Sequence, residues 1–135
     1  MARALRVEKT IRIKSEPDRV YSALTERSQL GRWFADKASA DATPGSMVEF
    51  TWGRGSHARR SRARVLRVDP GRSVMFRWED GYSHSQDDYF SLTIKKRPKG
   101  GLDVTVIDFA TKDALEELEE IWDDCLDKLK DNCEA

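Results

Sequence analysis

Two hydrophobic periods alternate along the chain. At Lys112–Cys133 the sequence reads KDALEELEEIWDDCLDKLKDNC, with apolar residues at Ala114, Leu115, Leu118, Ile121, Trp122, Cys125, Leu126 and Leu129. Steps of three and four place them on one face of a helix. Glu116, Glu117, Glu119, Glu120, Asp123, Asp124 and Asp127 occupy the other face. At about 1.5 Å per residue such a helix is roughly 33 Å long, so its apolar stripe needs a broad surface to cover it. Thr111 is the expected N-cap.

Elsewhere the period is two, which marks strands. Leu5, Val7, Ile11 and Ile13 share parity, interrupted by Lys9, and predict a strand on an edge or lining something. Val48, Phe50 and Trp52 predict a second strand, and Val74, Phe76 and Trp78 another. Phe90, Leu92 and Ile94 follow, then Leu102, Val104 and Val106, with Thr105, Ile107 and Phe109 on the opposite face. Between Arg59 and Val68, Ala63, Val65 and Leu66 break strict alternation and predict a bulge. Turns separate these runs at Pro44-Gly45, Gly53–Ser56, Asp69–Arg72 and Pro98–Gly101, and a polar loop holding Gly81 and His84 spans Glu79–Asp87.

After the first strand, Pro17 suits the first turn of a short helix carrying Val20, Tyr21 and Leu24. A second short helix runs through QLGRWF, capped by Thr25 or Ser28, with Trp33 and Phe34 as a plug seating the pair on the sheet. Lys37–Gly45 reads as a small, polar connection. The expected architecture is α+β: a curved antiparallel meander wrapped around the long C-terminal helix, as a single domain over residues 1–135.

Composition narrows the functional classes. With 39% hydrophobic and 36% charged residues the chain can fold around one core. Acids and bases balance to a formal charge of +0, which gives no general attraction to nucleic acid or anionic lipid. The charge is nonetheless segregated: residues 54–72 are rich in arginine and residues 113–134 in acids. No apolar run is long enough to span a membrane, and the N-terminus lacks the apolar core of a signal peptide. Cys125 and Cys133, eight apart on one helix and so about 12 Å apart along it, cannot bridge. A cytoplasmic location is therefore expected.

Several segments carry a family resemblance. Val20-Tyr21-Ser22-Ala23-Leu24-Thr25, then Leu30-Gly31-Arg32-Trp33-Phe34-Ala35, resembles the V-x-x-A-L-T … L-x-x-W-F signature of the heat-shock chaperone ATPase activators (Aha-type), and Phe76-Arg77-Trp78-Glu79 resembles their F-x-W strand. Val106–Ala110, Leu118–Trp122 and Leu126–Lys130 resemble a small bacterial START-like subgroup. The resemblance implies the helix-grip fold of the START-like, or SRPBCC, superfamily. That superfamily includes carriers, cyclases, ring-oxygenase subunits and chaperone regulators, so the fold alone does not choose among them.

Of the candidate sites, the space between sheet and helix is the most informative, because concave apolar clefts are where ligands bind. Parity aims Val48, Phe50, Trp52, Phe76, Trp78, Phe90 and Val106 at it, with Trp122 and Leu126 facing them from the helix; these side chains either line a pocket or, since small proteins rarely keep voids, fill it. Asp108 shares that inward parity; it is read either as a ligand's hydrogen-bond partner or as a cap of the last helix. His57, His84, Cys125 and Cys133 lie at no metal-ligand spacing, and no nucleophile–base pair is visible. No catalytic residue, metal or cofactor is expected. Arg60, Arg62 and Arg64 share one strand face with no interleaved aromatic residue, so nucleic acid is not the expected partner. The expected function is non-enzymatic binding of a small hydrophobic or amphipathic ligand. The alternative is a protein-binding chaperone or stress-regulatory module of the activator type, with a partner or a second copy docking on the acidic helix face or the arginine-bearing strands.

Overall fold

The computed structural model describes residues 5–79 and 89–135. The polar loop with Gly81 and His84 therefore lies, apart from Glu79, outside the described residues. In chain order the elements are β1 (Leu5–Ile13), α1 (Pro17–Thr25), α2 (Arg27–Trp33), β2 (Lys37–Ala38), β3 (Met47–Trp52), β4 (Arg59–Asp69), β5 (Ser73–Trp78), β6 (Tyr89–Lys96), β7 (Leu102–Ala110) and α3 (Leu115–Glu134). Among the described residues, seven strands form one antiparallel sheet in the order β1-β7-β6-β5-β4-β3-β2. Neighbours in sequence pair, except that β1 closes the sheet against β7 and so becomes an edge. The helix-grip architecture read from the sequence is the one observed.

The inner face of the sheet follows the predicted parity. Val48 and Phe50 of β3, Ala63 and Val65 of β4, Val74 and Phe76 of β5, Phe90 and Leu92 of β6, and Val104 and Val106 of β7 are all buried. Trp122, Leu126 and Leu129 of α3 meet them, with Leu24, Leu30 and Trp33 of the short helices. Fully burying each large apolar side chain is worth about 1.5–3 kcal/mol, so this face dominates the stability of the fold. Lys9, the polar interruption of β1, now has a reason. Its ammonium reaches α3, 3.4 Å from Asp123 and 3.6 Å from Glu119. The bulge in β4 also appears, as a register shift between Val65 and Arg67 against β5.

Four local expectations are corrected. Lys112–Ala114 forms a 3₁₀ turn, so α3 begins at Leu115. Thr111 precedes that turn with no side-chain cap bond. The second helix is preceded by Glu26; Thr25 instead donates its hydroxyl back to the Tyr21 carbonyl at 2.8 Å, and Ser28 lies within the helix. Lys37–Ala38, expected as loop, pairs with Thr51 and Phe50 as β2. A two-residue strand is too short to show periodicity, and its pairing is set by the neighbouring strand.

Candidate functional site

The site grows from Phe34. The residue ends α2, whose carboxyl end is pinned to α1 by a 2.7 Å bond from the Trp33 indole N–H to the Ala23 carbonyl. Besides Trp33 itself, at 5.5 Å, this holds the Phe34 ring against five others from the sheet and α3. Its centroid lies 4.8 Å from Phe50, 5.6 Å from Phe90, 5.7 Å from Trp122, 5.8 Å from Trp52 and 6.4 Å from Trp78. Phe76 joins through Phe90 at 5.0 Å and Phe50 at 6.0 Å. These are contact distances for aromatic pairs, each worth about 0.5–1.5 kcal/mol beyond area burial. Here the space between sheet and helix is filled by rings. The cluster reaches solvent at Trp52 and Trp78, the ends of β3 and β5, which are only half-buried.

Six aromatic residues expected to line the cleft are thus brought together: Phe50, Trp52, Phe76, Trp78, Phe90 and Trp122. Leu126 is buried in the same core one helical turn further on. Asp108 is buried as well, and it caps nothing. One oxygen accepts the Trp122 indole N–H at 2.8 Å and the other the Phe109 backbone N–H at 2.7 Å. It ties the end of β7 to α3. Burial pushes its carboxyl pKa up to about 6 against the lowering effect of those two hydrogen bonds.

Three members of the site carry no site signal in the sequence. Phe34 reads as a structural plug. Arg59 and Ser61 lie within a run whose visible feature is its outward arginines, yet they share parity with Ala63 and Val65 and so belong to the inner face. Arg59 stands opposite Trp52 in the β3–β4 register, its guanidinium 5.4 Å from that ring's centre. It is exposed and has no acidic partner among the described residues. Ser61 stands opposite Phe50 and is 7% exposed, and its hydroxyl has no hydrogen-bond partner among the described residues. Leaving such a group unpaired costs about 1–3 kcal/mol.

Other features are less suited to a site. A groove of about 370 Å³ runs along α2 and β2, lined by Arg27, Ser28, Gly31, Asp36, Lys37, Ala38 and Ser39, and contains none of the cleft residues. Cys125 and Cys133 are free thiols. Burial raises both, Cys125 to about 11, so neither is a ready nucleophile. His57 sits in a turn between β3 and β4. Among the described residues no three His, Cys, Asp or Glu side chains gather in a metal-binding group, and no helix is long and apolar enough to cross a membrane.

Comparison with known proteins places this geometry. The family model described as "Activator of Hsp90 ATPase homolog 1-like protein" matches residues 14–134. No curated protein matches the chain in sequence. Among solved structures, the Aha1 dimer from Colwellia psychrerythraea is 22% identical, with 96% of each chain covered and a TM-score of 0.82. A protein of unknown function from Staphylococcus aureus is 15% identical over 98% of this chain and 95% of that one, with a TM-score of 0.83. An AHSA1-like protein from Aeromonas hydrophila is 16% identical over 95% and 91%, with a TM-score of 0.76. At these identities the likeness is one of fold.

Proposed function

The chain belongs to the Activator of Hsp90 ATPase homolog 1-like family, and from that premise we propose that it is a non-catalytic binding domain for a small hydrophobic or amphipathic ligand. The ligand lies against the solvent-facing end of the ring cluster, on Trp52 and Trp78, with Trp122 buried behind them on the other side of Phe34. The observation that carries this reading is the Phe34-centred cluster. Rings from α2, β3, β5, β6 and α3 meet, and two tryptophans at its end remain half-exposed. An apolar body laid on those rings removes their remaining exposed surface from water, and burial drives the association. Asp108 supports the reading as a buried carboxyl held beside the cluster at an energetic cost, a combination that clusters at functional sites. The two free thiols support a reducing compartment, so the proposal includes a cytoplasmic location.

Native mass spectrometry of the freshly purified protein tests the proposal. A bound adduct of a few hundred daltons is expected, lost from a Trp52→Ala/Trp78→Ala variant that retains its circular dichroism spectrum. An unladen protein whose tryptophan fluorescence also ignores alkyl probes contradicts it.

The second reading is a protein-binding regulatory module or homodimer. It is supported by the family description and by Ile121, which belongs to the apolar stripe of α3 by spacing and yet stays exposed instead of packing on the sheet. Light scattering after size exclusion separates the two. A stable dimer dissociated by Ile121→Lys favours the second reading, and a monomer that binds ligand favours the first.

A further inference from the structure

We propose that the mouth of the cleft is an acid-headgroup site: Arg59 pairs with the carboxylate of an amphipathic ligand, the Ser61 hydroxyl donates to it, and the ligand's apolar body lies on Trp52 and Trp78. The inference rests on the ligand-binding reading above and names the ligand's chemistry. Three independent observations converge on one spot. Arg59 is the inner-face arginine of β4, stacked at 5.4 Å over the half-exposed Trp52. It has no acid to neutralise it among the described residues, and a guanidinium is built to hold a carboxylate through paired N–H donors. Ser61 lies two residues along the same face, about 7 Å away by strand rise. Its hydroxyl is buried and has no partner among the described residues, and buried hydroxyls are ordinarily hydrogen-bonded. An arriving carboxylate oxygen supplies the missing acceptor. Phe50, across from Ser61, and Trp52, across from Arg59, wall the spot with rings.

The inner-face acid Asp108 does not oppose such a ligand strongly. It lies on β7, three strands from β4, roughly 14 Å away at ordinary strand spacing. Both of its oxygens are already engaged by Trp122 and Phe109. The outward arginines, Arg60 and Arg64, belong to the other face of the sheet and are not part of this site.

The test compares decanoate with 1-decanol, an equal apolar chain without the charge, by tryptophan-fluorescence titration at pH 7.5. Wild type is expected to bind the acid about 10-fold or more tightly than the alcohol, the ratio expected for one charge-assisted contact. Arg59→Gln is expected to abolish the preference, acid binding falling to the level of alcohol binding in the same variant. Ser61→Ala weakens acid binding, and raises the thermal midpoint of the unliganded protein because the unpaired hydroxyl is gone. Equal affinity for acid and alcohol overturns the headgroup site and leaves the apolar cleft standing. Binding of neither overturns both readings. An acid preference that survives Arg59→Gln overturns the assignment to Arg59.

Discussion

At the scale of single residues, Asp108 joins structure to stability most directly. Its two hydrogen bonds favour the carboxylate, and its burial opposes it more strongly, so its folded-state pKa is raised from 3.8 to about 6. For an acid whose folded pKa is raised, the folded state binds the proton more tightly than the unfolded state does. The associated stability is complete below pH 3.8 and is lost as pH rises through 6. A shift of that size corresponds to about 3 kcal/mol. Asp108→Asn cannot titrate. The unfolding free energy of wild type minus that of Asp108→Asn is therefore expected to fall by about this amount between pH 3.5 and pH 7. Urea titrations at both ends of the window measure it, and a pH-independent difference refutes the account. The inward parity of Asp108 is legible in the sequence, but its partner is not. Trp122 is 14 residues away, and only the docked position of α3 brings the indole to the carboxyl. Ser61 is illegible for a related reason: an unpaired hydroxyl is defined by its neighbours, which no spacing in the chain announces.

At the scale of elements, legibility follows period and length. The long helix and the strands carry enough repeats for the pattern to decide them. Their ends do not, because helix boundaries depend on a few competing local bonds; thus Lys112–Ala114 tightens into a 3₁₀ turn. Turns are legible wherever glycine supplies a reason, and two of them make a controlled comparison. Gly71, between β4 and β5, has φ +78°, and a Cβ added there would meet nothing within 4 Å. Gly101, between β6 and β7, has φ +75°, and a Cβ there would stand 3.1 Å from the Ile13 carbonyl at the end of β1. Both alanine substitutions incur the left-handed penalty of about 1–2 kcal/mol. Only Gly101→Ala also pushes on the closing β1–β7 pair, where Ile13 faces Leu102. Gly101→Ala is therefore expected to destabilise by at least about 1 kcal/mol more than Gly71→Ala. Equal denaturation midpoints for the two variants contradict that reasoning.

At the scale of the whole molecule, zero net charge conceals a separation of charge across the sheet. Arg60 and Arg62 project from the outer face of β4, and Arg64 beside them pairs with Glu79 at 2.9 Å. The acids of α3 lie on the other side, where the helix packs along the inner face and the β1 edge. Two molecules can therefore attract one another, outer sheet face to acidic helix. Because the two surfaces lie on opposite sides of the molecule, such contacts are heterologous and do not close into a two-fold dimer. The charges are solvent-exposed, so the attraction depends on screening, with a Debye length of about 30 Å at 0.01 M salt and about 8 Å at 0.15 M. Near the isoelectric point of about 6.7 no net repulsion opposes it. The second virial coefficient from small-angle scattering at that pH is expected to be negative at low salt and to rise towards zero or above at about 0.3 M, where screening is stronger still. Reversing one outward charge with Arg60→Glu should remove most of the difference. An isologous dimer held by the apolar Ile121 patch behaves in the opposite way, being indifferent to salt or tightened by it. A salt-independent coefficient would therefore exclude the charge-segregation account and point to the helix face as a self-complementary surface.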